Sequence, residues 1–139
     1  MMSRYAKDQP AGFSNKIKNI AIVGATGSVG GHITGHLLKT GQHVVTALTR
    51  ADSKSKMPDG VKVAKVNYED EDTLVDALQG QDALIVTMNN TNLGAIATLI
   101  EAAAKTNVEW IMPNEYSPDV LTNPQVGKVS IPGLPDTMM

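Results

Sequence analysis

The sequence predicts an α/β domain in which about five parallel strands, in the order 3-2-1-4-5, carry helices on both faces, with the helix cover incomplete. Three observations predict it. Short, continuously apolar runs such as Ile20 to Val23 and Ala83 to Thr87 recur between stretches of helical periodicity, as buried parallel strands do. A glycine-rich turn, GATGSVG at Gly24 to Gly30, joins the first such run to the first helical pattern. A chain of 139 residues is long enough for one domain with a real core, though short for separate cofactor and substrate lobes.

The stretch from Asn19 to Leu38 organises the rest. Ile20 to Val23 form the first strand, and Gly24 takes the tight turn that ends it. Gly27 lets backbone approach a pyrophosphate with no Cβ in the way, and Gly30 permits close packing of helix on strand. Ser28 is the expected cap of the helix, and Val29, Ile33 and Leu37 recur on one helical face. The unpaired N–H groups of the helix N-terminus, Thr26 and Ser28 included in the turn, form an anion site. The spacing is G-x-x-G-x-x-G rather than G-x-G-x-x-G, so strand and helix context carry the assignment of a Rossmann-like dinucleotide site. The competing reading is a glycine-rich turn that binds nothing.

Residues 1–16 read as a mobile leader, with Pro10 and Gly12 discouraging regular structure. The first helix is expected to run to Lys39 or Thr40, closed by Gly41. Gly31 and Gly35 inside it each cost up to about 1 kcal/mol relative to alanine, a cost that close packing on the sheet would offset. His32 and His36, four apart, lack the further ligands of a metal site and read as flank residues.

His43 to Thr49 form the second strand. Its end lies where the adenosine ribose of a dinucleotide would sit, and an NAD-preferring site places a carboxylate there. This chain offers Thr49 and Arg50 instead, and a guanidinium fork matches a 2′-phosphate. NADP(H) is therefore favoured, with NAD the alternative, Lys54 and Lys56 as helpers, and Asp52 counting against. Residues 51–60 allow at most one turn of helix. Val61 to Val66 alternate as an edge strand, and Asn67 and Tyr68 at its end are candidates for the adenine or ribose.

The acidic run Glu69 to Asp72 precedes Leu74, Val75 and Leu78 and reads as a helix cap with dipole compensation, closed by Gly80. Ala83 to Thr87 form the fourth strand. Thr87, Met88 and Asn89 lead a loop whose amides and hydroxyls line the cofactor, and Thr91 or Asn92 caps a helix with Leu93, Ile96, Ala97, Ile100 and Ala104 on one face. Val108 to Met112 form the fifth strand.

Charge and composition exclude other classes. A net charge of −2 gives no basic excess for nucleic acid, and the absence of cysteine removes disulfides, thiolate metal sites and a cysteine nucleophile. No apolar run reaches membrane-spanning length, and the leader lacks the apolar middle of a secretory signal, so the cytosol is the expected compartment.

Together, GATGSVG at Gly24 to Gly30, Arg50, VNYEDEDTLVDALQGQDALI from Val66 to Ile85 and PNEYSPD from Pro113 resemble the NmrA-like and isoflavone-reductase-like group of atypical short-chain dehydrogenases. The resemblance covers roughly residues 17 to 120, with Pro113 to Tyr116 matching the group's P-[SN]-E-[FWY] turn. It implies an NADP(H)-binding domain over 17–116, followed by a Pro-rich irregular tail over 117–139. It also implies a small aromatic, phenolic or quinone-like substrate or, as in NmrA itself, nucleotide sensing through a protein partner. In the reductases a lysine on the helix after the fifth strand assists catalysis. Lys128 does not match that position, and neither Tyr68 nor Tyr116 begins a Tyr-x-x-x-Lys pair. No catalytic residue is therefore assigned. The expectation is a C-terminally truncated member, an inactive fragment at the extreme, with apolar residues of ALIVT and VEWIM uncovered on the first helix's face.

Overall fold

Every strand of the sheet runs parallel to its neighbours, and the order is β3-β2-β1-β4-β5. The computed structural model describes residues 9–88 and 93–114, with strands β1 Asn19–Val23, β2 Val44–Arg50, β3 Lys62–Val66, β4 Ala83–Val86 and β5 Trp110–Met112. The helices are α1 Ser28–Thr40, α2 Glu71–Leu78 and α3 Leu93–Ala104. Residues 1–8 of the leader, residues 89–92 with Asn89, Thr91 and Asn92, the PNEYSPD motif beyond Asn114 and the whole 117–139 tail lie outside the described residues.

Alternation along the central strands divides the core in two. Ile20, Ile22, Val45 and Ala47 point to the face where Ile33, Leu37 and Leu38 of α1 pack. Ala21, Val23, Leu48, Leu84 and Val86 point to the other, under Leu74 and Leu78 of α2 and Leu99, Ala102 and Ala103 of α3. A strand buried on both faces has no room for polar alternation, which is why these runs are continuously apolar.

The helix ends follow their sequence signals. Gly41 takes a left-handed φ of 64° and its N–H donates to the Leu38 carbonyl at 3.2 Å, ending α1. Asp70 caps α2 by accepting from the Asp72 N–H at 3.2 Å, with Glu71 and Asp72 in the first turn and Gly80 at φ 78° just past the end.

Four local expectations are corrected. Gly27, not Ser28, is the N-cap of α1, and no side chain caps it. The inward stripe of α1 runs through buried Gly30 and Thr34, which puts Val29 at its edge, 41% exposed, while Ile33 and Leu37 stay half-buried. Gly35 has open space where a Cβ would stand, so close packing does not account for it. In α3 the buried face is Ala95, Leu99, Ala102 and Ala103; Ala97, Ile100 and Ala104 are exposed, and the Leu93 side chain lies outside the described residues.

The uncovered part of the sheet is narrower than expected. All of β4 is buried, and Ala83 and Ile85 on the α1 face belong to the cluster of Ile20, Ile22, Val45 and Ala47. The exposure falls on β5, where Trp110, Ile111 and Met112 are 60%, 39% and 50% exposed.

Candidate functional site

The glycine turn leaves β1 at the carboxyl ends of the strands. Gly24 has φ 81°, and a Cβ there would collide with the Thr87 carbonyl and come within 2.7 Å of its hydroxyl. A Cβ on Gly30 would collide with the Gly24 carbonyl and the same hydroxyl, so helix and strand meet without a side chain between them. Thr87 holds this junction. Its N–H donates to the Val23 carbonyl at 3.0 Å, and its hydroxyl donates to the carbonyls of Val23 at 2.7 Å and Gly24 at 3.2 Å. The hydroxyl expected to face a cofactor is thus spent on the turn that would carry one.

Within the turn, Gly27 N–H donates to Gly24 at 3.0 Å, and Gly31 N–H to Gly27 at 2.7 Å. Thr26, Ser28 and Val29 are exposed at the opening of α1. The contrast with α2 is informative: that helix neutralises its N-terminus with Asp70, Glu71 and Asp72, whereas the first turn of α1 has no acid and no side-chain cap. An N-terminus left this way fits an anionic group supplied from outside the chain.

A cleft of about 190 Å³ adjoins the turn, lined by Val23, Gly24, Ala25 and Thr26 from β1 and the turn, and by Leu48, Thr49 and Arg50 from β2. Ser53, Ser55 and Met57 of the following loop, Tyr68 after β3 and Met88 after β4 complete it. Arg50 is largely exposed and its Nε lies 3.7 Å from Asp52, a loose surface pair. The Thr49 hydroxyl is buried with no hydrogen-bond partner. Burial pushes the Tyr68 phenol above its ordinary pKa, partly offset by the charge of Arg50, so the ring remains neutral in the ordinary pH range.

The sequence-predicted residues divide accordingly. Gly24, Thr26, Thr49, Arg50 and Met88 line the cleft, and Gly27, Ser28, Val29 and Gly30 belong to the adjoining turn and helix start. Asn67 is turned to local structure: its side-chain carbonyl accepts from the Glu69 N–H at 3.0 Å, and its own N–H donates to Thr73 at 2.9 Å. Its neighbour Tyr68 lines the cleft instead. Asn89 lies outside the described residues. Lys54 and Lys56 are exposed and absent from the lining, while Ser53, Ser55 and Met57, passed over in the sequence, face it. The period of two in Ser-Lys-Ser-Lys-Met was the available signal, since alternate residues of an extended segment face opposite ways. Asn114 ties the start of the PNEY turn to this end of the sheet by donating to the Met88 carbonyl at 2.7 Å.

With this geometry in view, comparison with known proteins is decisive. Residues 24–114 match the model of an NAD(P)H-binding family, a span that begins at the glycine turn and ends at Asn114. The chain belongs to this NAD(P)H-binding family. Its relatives bear out the NmrA-like and isoflavone-reductase-like group of atypical short-chain dehydrogenases. Oxidoreductase aprR of Aspergillus flavus is 39% identical over 101 residues, covering 72% of this chain and 34% of that protein. The NADPH-complexed quinone oxidoreductase QOR2 of Escherichia coli superposes with a TM-score of 0.59 at 31% identity, over 66% of this chain and 35% of that one. An isoflavone reductase structure gives a TM-score of 0.64 at 26% identity, over 75% and 38%. The chain thus spans about a third of the length of the curated relatives it matches.

Proposed function

We propose that this chain binds NADP(H) along the carboxyl ends of β1, β2 and β4 and is the cofactor-binding part of an oxidoreductase acting on small aromatic, phenolic or quinone-like molecules. The observation that carries the cofactor reading is the combination of an uncapped, acid-free helix N-terminus at Gly27 with Arg50 in the same cleft. The first accepts the pyrophosphate and the second favours a 2′-phosphate over a bare ribose hydroxyl. Gly24, Thr26, Ser28 and Val29 would hold the pyrophosphate through backbone, and Thr49 and Arg50 the adenosine ribose. Thr87 acts by fixing the turn. The bound cofactor would supply hydride chemistry. The substrate class is supported by what the relatives are named for, a quinone oxidoreductase and isoflavone reductases.

A second reading, a nucleotide-sensing module that acts on a protein partner, is favoured by the exposed strand β5. A cytosolic location belongs to both readings; among the described residues no helix is long and apolar enough to cross a membrane.

Thermal unfolding with NADPH and NADH tests the cofactor reading, because a ligand that binds only the folded state stabilises it by mass action, by about 2.7 kcal/mol at a hundred times Kd, and so raises Tm. NADPH should raise Tm by several degrees and NADH by less; no shift with either removes the cofactor. NADPH oxidation with quinones by this chain would support the oxidoreductase reading over the sensing module.

A further inference from the structure

The two borders of the sheet are built differently. Strand β3 carries Lys62 and Lys65, and the second donates to the Ser53 carbonyl at 3.1 Å. Lysines on an edge strand oppose pairing with another chain. Strand β5 is Trp-Ile-Met, with no charge and all three residues exposed. Its register with β4, Ala83 beside Trp110 and Leu84 beside Ile111, puts Trp110 and Met112 on the α1 face and Ile111 on the other. Helix α3 extends the apolar border on that second face. Lys105 pairs with Glu71, which turns one flank of α3 towards α2. Ile100, five residues and about 140° around the helix from Lys105, lies on the opposite flank, beside the free edge, and is 40% exposed.

We infer that β5 pairs, antiparallel and across a two-fold axis, with β5 of a second copy of this chain, joining two five-stranded sheets into one. The backbone sets the register. Trp110 N–H donates to the Asp82 carbonyl at 3.3 Å, on the β4 side, so alternation along the strand turns the N–H and carbonyl of Ile111 to the open edge. With the axis at Ile111, the two copies of this residue exchange both N–H to carbonyl bonds. The same register sets Trp110 opposite Met112 of the second copy, twice over, a sulfur–aromatic pairing. It sets Glu109 opposite Pro113, so no like charges face one another. On the other face the α3 flanks that carry Ile100 come side by side. A second copy is the occupant because an isologous contact requires a stretch that complements itself, and Trp-Ile-Met does so around its central residue. The ladder stops there. Pro113 has no N–H to give, and Glu109 N–H already donates to the Asp82 carbonyl at 3.1 Å. The contact is therefore small, and the pair forms reversibly as protein concentration rises.

The full chain has no cysteine, so one introduced thiol reports on the edge alone. In a glutathione redox buffer at high micromolar protein, Ile111→Cys should form a disulfide-linked dimer, because Cα atoms of a hydrogen-bonded antiparallel pair stand about 5.5 Å apart, within disulfide reach. Val63→Cys on β3, 49% exposed, should stay monomeric. In sedimentation velocity the average mass of the parent should climb towards that of a dimer with concentration. Ile111→Lys should raise the concentration needed by about 10-fold or more, through like charges placed directly opposite, and Val63→Lys should not. Because Ile111 is 39% exposed, Ile111→Lys should keep the parent's circular dichroism in dilute solution. No residue of β5 lines the nucleotide cleft, so these outcomes are independent of cofactor binding. A parent that stays monomeric at high micromolar concentration overturns the pairing. A maleimide then tells the rival states apart: free reaction of Ile111→Cys marks an empty edge, and shielding marks one taken by another segment of the same chain. A dimer that Ile111→Lys leaves intact overturns it as well, since the contact then lies elsewhere.

Discussion

Gly35 stands in the interior of α1 with nothing within 4 Å of where a Cβ would be apart from its chain neighbours and the helix's own backbone, and its φ is not left-handed. Gly35→Ala should therefore stabilise the fold by about 0.5–1 kcal/mol, chiefly by restricting the unfolded chain, measured as a raised midpoint of urea unfolding. Gly30→Ala, five residues earlier, should cost about 1–3 kcal/mol or more and abolish nucleotide binding, because its Cβ would displace the Gly24 carbonyl and the Thr87 hydroxyl together. One glycine is there for packing and the other is not, and only the three-dimensional neighbours tell them apart. Asp82 gives a pH prediction at the same scale. Its carboxylate accepts from the N–H groups of Asn19 and Lys18, both at 2.8 Å, which holds its pKa below the ordinary value. A lowered folded-state pKa contributes stability above the unfolded value and loses it as pH falls through the folded one. Asp82→Ala should accordingly be less stable than the parent at neutral pH, and the gap should close below about pH 4, read from Tm against pH.

At the level of elements, strands were more legible than helix faces. The runs at Ile20, Val44, Lys62, Ala83 and Trp110 all became strands, in the expected order: the inner strands, buried on both faces, announce themselves as apolar runs, and the edge strand β3 by its alternation. Helix α3 shows the opposite case. Leu93–Ala104 is apolar nearly all round, Glu101 being its one charge, so periodicity carries no contrast from which to read the buried side. Its phase is set by contact with α2 and the sheet. Leu99→Ala should cost about 2–5 kcal/mol, as a fully buried leucine does. Ile100→Ser, 40% exposed in the parent, should stay within about 0.5 kcal/mol in the same urea series. Comparable losses at both positions would restore the face read from sequence. Helix α1 was legible at its C-terminus through Gly41 but not at its N-terminus, where an available serine is left out of the cap and the N–H groups remain free for a ligand.

Across the whole molecule, the glycine turn and the Thr49–Arg50 pair at the end of β2 were legible, whereas the part of the lining that comes from the loop after β2 was not. The glycine turn follows from residue type, since only glycine permits the φ at Gly24. The orientation of residues 53–57 depends on Lys65, Met57 and the Arg50 carbonyl, partners that no local pattern reveals. The same scale exposes the division of the sheet's two ends. Nucleotide chemistry gathers at the carboxyl ends of β1 and β2, whereas the amino ends are pinned by Asp82, beside the start of β5.

Trp110 is the sole tryptophan of the chain and begins the edge strand β5, 60% exposed. Its indole is therefore a built-in optical probe of that edge, spectroscopically separate from the cofactor cleft at the opposite ends of the strands. Its emission should have the long-wavelength maximum of a hydrated indole and be quenched freely by iodide. Saturating NADP⁺ should leave both properties unchanged, while any polypeptide that settles against β5 should shift the emission to the blue and shield it from the quencher.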